Sequence, residues 1–85
     1  MRVIFRFSVD GESDGALRNR LANTLTRNGF VLNRNVTATF EHEDISERDL
    51  ALVMQSFWKR AHDFNGDASI DHVWMYADNP PLRAV

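Results

Sequence analysis

SIDHVWMYAD, Ser69 to Asp78, alternates like a β-strand but has two apolar faces. One alternate set is Ile70, His72, Trp74 and Tyr76. The other is Val73, Met75 and Ala77. Side chains on a strand point alternately to opposite sheet faces, so a half-buried strand needs only one apolar set. Two arrangements are open. In the first, Val73, Met75 and Ala77 point to the helices and His72, Trp74 and Tyr76 lie on an open sheet face. In the second, Trp74 and Tyr76 face the core and Met75 faces water. The first is expected, because histidine and tyrosine are intermediate in their preference for burial.

The rest of the chain supplies the other elements. RVIFRFSVD (residues 2–10) sets Val3, Phe5, Phe7 and Val9 against Arg2, Ile4, Arg6 and Ser8, which predicts a strand. After the polar turn DGESDG, Leu17, Leu21 and Leu25 recur every fourth residue, and Gly29 stands where a helix stops. This predicts a helix over about 15–28. Two short extended runs flank Asn33, Arg34 and Asn35, residues suited to a hairpin turn. In the second run Val36, Ala38 and Phe40 alternate with Thr37, Thr39 and Glu41, and His42 continues the apolar set as a cap on the core. SERD follows, with Ser46 as N-cap; Leu50, Val53, Met54, Phe57, Ala61 and Phe64 come after it at helical spacing, which predicts a helix over about 47–63. The order β-α-β-β-α-β predicts an α+β ferredoxin-like sandwich, a four-stranded antiparallel sheet with two helices on one face. Residues 1–79 form one domain. Residues 80–85, opening with Pro80 and Pro81, form a tail.

The composition excludes several classes. The 85 residues suit a single domain, 44% are hydrophobic and 26% charged, and there is no cysteine for a disulfide or thiolate site. No apolar run reaches the ~18 residues of a membrane span, and no leader is visible. The expectation is a cytoplasmic protein away from the membrane. The net charge of −2 hides a +4 stretch from Gly15 to Phe40, which has Arg18, Arg20, Arg27 and Arg34 and no acid. Nine of the ten basic residues are arginine, whose planar fork suits phosphate and carboxylate.

Specific motifs are scarce. An open sheet with aromatics beside arginines can stack nucleobases or meet a second copy of itself. The RNA recognition motif needs aromatics on its central strands, but Thr37, Thr39 and Glu41 occupy those outward positions here. DFNGDASIDHVW (Asp63 to Trp74) imitates a calcium loop but has Ala68 in place of the sharp-turn glycine and Trp74 in place of the bidentate glutamate. His42, His62 and His72 lack metal-ligand spacing, and no nucleophile elbow, P-loop or dinucleotide fingerprint occurs.

From VIFRFSVD through NVTATFEHEDISERDLALVM to SIDHVWMYADN, the layout resembles the small ferredoxin-like ribonuclease and antitoxin group. That group includes the GhoS antitoxin, the VapD toxins and the small subunit of the CRISPR adaptation complex. The resemblance implies a homodimer that binds or cleaves RNA in a toxin–antitoxin or defence setting. It carries a catalytic role onto Asp10, with two such acids across the dimer holding Mg²⁺. Read from its neighbours alone, Asp10 is a turn residue before Gly11. Candidate nucleic-acid ligands are Arg2, Arg6, Arg18 and Arg20. Candidate interface residues are Ile4, His72, Trp74 and Tyr76. SDGALRNRLANTLTRNGFVL also resembles the opening of ACT-type regulatory domains, which implies a small-ligand sensor. A protein-binding module without catalysis is the third reading.

Overall fold

In the computed structural model, residues 1–11, 14–34 and 39–79 are described. The elements are β1 (Arg2–Asp10), α1 (Ala16–Arg27), β2 (Val31–Asn33), β3 (Thr39–His42), α2 (Glu47–His62) and β4 (Ser69–Asp78). They form an antiparallel sheet in the order β2-β3-β1-β4, with both helices contributing to one core. This is the ferredoxin-like α+β sandwich. The expected inward positions Val36 and Ala38, the outward Thr37 and the tail lie outside the described residues.

Local signals set the helix ends. Ser46 caps α2, its Oγ accepting the Asp49 N–H at 3.0 Å. At the end of α1, Phe30 N donates to Leu25 O at 3.1 Å and Gly29 N to Thr26 O at 3.2 Å. That pair is a Schellman motif, and Gly29 supplies its left-handed residue at φ 88°. Phe30 then turns inward and packs edge-on to His42, ring centroids 5.3 Å apart, so His42 does cap one end of the core.

Val3, Phe5 and Phe40 from the sheet meet Leu17, Leu21 and Leu25 of α1 and Leu50, Val53 and Phe57 of α2. Phe57 is the keystone, its ring 5.0 Å from Phe5 and 5.4 Å from Phe7. The helical spacing of these residues dictates the contact, because positions three and four apart share one helix face.

The register settles the orientation of β4. Phe5 pairs with Met75 and Phe7 with Val73, so Val73, Met75 and Ala77 share the helix side. Arg6 pairs with Trp74, Ile4 with Tyr76 and Ser8 with His72, on the open side. One residue departs from strict alternation. The register shifts between Ser8 and Val9, and Val9 pairs with Ile70, leaving Asp71 as the extra residue of a β-bulge. The bulge turns Ile70 away from the His72 set and onto the core.

Candidate functional site

The open sheet face is a row of pairs across β1 and β4. At one end an Arg2 guanidinium nitrogen lies 3.3 Å from Asp78 Oδ2, which also accepts the Tyr76 hydroxyl proton at 3.0 Å. Next, Ile4 lies between Tyr76 and Glu41 in register. Then the Arg6 guanidinium sits over the Trp74 ring at 4.8 Å. Arg6 Nε is buried and has no hydrogen-bond partner among the described residues. On the other flank Asn33 donates to Glu41 at 2.9 Å, and Val31 stands 68% exposed.

At the bulge end, Ser8 Oγ lies 2.8 Å from His72 Nδ1 and 3.1 Å from Asp71 Oδ2. A hydroxyl has one proton. When Ser8 donates it to Asp71, its oxygen can only accept from Nδ1–H. A nucleophilic serine needs the opposite, an imidazole that accepts. The trio therefore reads as a hydrogen-bonded clasp between β1 and the bulge.

The four residues expected to interact are reached differently, His72 being exposed at the bulge end. Trp74 and Tyr76 are 42% and 44% exposed, while Ile4 is half-buried. Met75, between the two aromatics and pointing the other way, is 45% exposed. The helix layer packs on Ile70 and Val73 but stops short of Met75. The second half of β4 is therefore open on both faces, and its outer edge pairs with no strand among the described residues.

The four arginines singled out as nucleic-acid ligands do not converge. Arg2 and Arg6 stand on the sheet face, beside Glu41, Asp71 and Asp78. That makes two cations against three anions, which disfavours phosphate there. Arg18 and Arg20 are exposed on α1, in the opposite layer. They also diverge from each other, since residues two apart on a helix face different ways. Arg18 joins Arg34 at a hollow of 300 Å³ over Phe7, Leu32 and Phe40. Arg20 turns toward α2, where it lines two adjoining grooves of 310 and 380 Å³ with Arg60. Arg27 and Lys59 complete this basic groove. Sequence reading missed them as a site, although the seven-residue spacing of Arg20 and Arg27 signals one helix face.

The groove's electrostatics register on one acid. Asp63 is exposed and its carboxyl is held below the usual range, first by its hydrogen bond to Lys59 and then by the Lys59 charge, with His62 and Arg20 adding to the pull. The Lys59 Nζ–Asp63 Oδ2 distance is 3.0 Å.

Asp10 ends β1 opposite Ser69, and its Oδ1 accepts the N–H of the next residue, Gly11, at 3.0 Å. Among the described residues no three histidine, aspartate or glutamate side chains gather where they could hold a metal ion. Among the described residues no helix is long and apolar enough to cross a membrane. No family model matches the chain, and no curated protein or solved structure matches it.

Proposed function

We propose that this protein is an interaction module that pairs with a second copy of itself through the edge of β4. One observation carries the reading: three consecutive residues, Trp74, Met75 and Tyr76, are almost equally exposed although they alternate between faces. A strand covered by its own domain on one face does not leave that pattern. A strand whose edge pairs with another chain can, because the partner's strand supplies cross-strand neighbours to the side chains on both faces.

The chemistry of the edge fits a copy of itself. Val73 to Ala77 carries no charge, so the middle of the edge lacks the charged residues that usually deter edge pairing. A two-fold centred on Met75 would set Trp74 of each copy opposite Tyr76 of the other and His72 opposite Asp78. Directly opposed aromatic pairs each contribute roughly 0.2–1 kcal/mol. The same pairing would extend the sheet to eight strands.

This reading also separates the interaction module from a nuclease. Asp10 lies opposite Ser69, six residues from Met75 along β4. At about 3.3 Å per residue, the two Asp10 carboxylates of such a dimer would stand roughly 40 Å apart. They could not share one Mg²⁺. The endoribonuclease reading therefore needs a different dimer, and its mark would be Mg²⁺-dependent RNA cleavage lost in Asp10→Asn.

The test uses the absence of native cysteine. Met75→Cys is expected to oxidise to a covalent dimer under mild conditions, while a cysteine at exposed Ser56 on α2 stays monomeric. Sedimentation of the unmodified protein is expected to give a dimer at micromolar concentration. A monomer at millimolar concentration would sink the reading.

A further inference from the structure

We infer that the groove between α1 and α2 binds the phosphate chain of a single-stranded polynucleotide. This stands on different residues from the β4 pairing and on the opposite layer of the domain. Arg20 and Arg60 line both of the adjoining grooves, so the two hollows, 310 and 380 Å³, form one track with these arginines at its middle. Arg27 lies on one limb and Lys59 on the other. All four cations are exposed. Only Asp63 opposes them among the residues lining the track, and it is engaged by Lys59.

The lining selects a ligand class. Three of the four cations are arginines, which grip phosphate oxygens with two parallel N–H donors. Asn19 and Asn23, four apart on α1, line the Arg27 limb and offer amides that both donate and accept. Phe64, half-buried, closes that limb with an aromatic ring. Phosphate grips, amides and an aromatic surface together match an unpaired nucleotide strand, whose bases are free to stack and bond. An acidic protein segment would want apolar anchor pockets, which this lining lacks.

The test is fluorescence anisotropy with a labelled 15-nucleotide oligouridylate, and in parallel with oligothymidylate, from 50 to 300 mM salt. With Lys59 held by Asp63, three arginine–phosphate contacts predict a slope of log affinity against log salt near −2.1, about −0.7 for each contact. The double variant Arg20→Ala/Arg60→Ala is expected to bind at least tenfold more weakly, with a slope near −0.7. Both positions are exposed, so circular dichroism should show the fold intact. Trp74→Ala should bind like the wild type, which keeps failure of the dimer distinct from failure of the groove. Binding of either single strand with these slopes supports the inference. It is overturned by no binding at 50 mM salt or by unchanged affinity in the double variant. It is equally overturned if a duplex binds more tightly than the single strand, or if polyglutamate of equal charge competes as well as unlabelled RNA.

Discussion

The two layers of this domain share one core and meet solvent on opposite terms. The helix layer turns Arg20, Arg27, Lys59 and Arg60 outward around a concave track with a single opposing acid. The sheet layer turns out Trp74 and Tyr76, and its cations are already engaged, Arg2 by Asp78 and Arg6 by the Trp74 ring. Charge that is unspent attracts a charged ligand, whereas charge that is matched locally leaves apolar surface as the main driving force for association. Composition alone blurs this contrast, because the net charge of −2 averages over both layers.

The change that would break both layers at once is Phe57→Ala. Phe57 is fully buried and touches Phe5 and Phe7 on the sheet from α2. Removing a buried phenyl ring costs about 3–5 kcal/mol, a large share of the stability of so small a domain. Urea denaturation followed by circular dichroism should show the loss, and self-association and polynucleotide binding should fall together. If either survived in an unfolded chain, the layers would not depend on a common core.

Gly29→Ala should follow in size. A Cβ at this residue would stand 2.8 Å from His42 Nε2, and φ is 88°. Strain from the left-handed backbone together with the displaced ring should cost about 1–3 kcal/mol. The effect should be confined to stability, since Gly29 belongs to neither the β4 edge nor the basic track. Thermal unfolding would measure it, and a shift in oligomeric state at low temperature would contradict it.

Trp74→Ala tests the sheet layer alone. Its stability cost should be small, about 0.5–1 kcal/mol for the lost contact with Arg6, because the residue is nearly half exposed. Its effect on self-association should be at least tenfold in dimer affinity by sedimentation, as expected of an aromatic at the centre of an interface. A variant that destabilises the fold without changing the oligomer would assign Trp74 to packing.

What was legible in the sequence follows from which interactions are local. Ser46 and Gly29 announce helix ends because capping is decided within a few residues. The alternation in β1 announces a strand for the same reason. The orientation of Val73, Met75 and Ala77 toward the helix side was also readable, although only Val73 reaches the core, but the bulge at Asp71 was not, so Ile70 was grouped with the wrong face. A bulge depends on the neighbouring strand, and no pattern within SIDHVWMYAD encodes it. The basic track is the larger omission. Arg20 and Arg60 are forty residues apart and meet only because both helices pack on one sheet face. Conversely, Arg2 and Arg6 looked available until the register placed Asp78 and Trp74 beside them.

Asp63→Asn is the smallest change and sharpens the comparison most finely. The folded carboxyl is depressed below 3.8, chiefly by Lys59, so its contribution to stability is present above the unfolded pKa and fades as pH falls through the folded value. The variant should therefore be slightly less stable than wild type at neutral pH and indistinguishable from it near pH 2, as read by thermal melts. The residue is fully exposed, so the difference should be near the limit of detection. Its effect on the ligand should have the opposite sign. Removing the one acid in the track frees Lys59 and should raise oligouridylate affinity two- to fivefold at low salt, about 0.4–1 kcal/mol by the logarithmic relation between affinity and free energy. The gain should vanish as salt screens the field. Self-association through β4 should not change, because no residue of that edge touches the Lys59–Asp63 pair. A mutation that loosens one layer's own ion pair, strengthens that layer's ligand and leaves the other layer silent would show that the two surfaces are electrostatically separate.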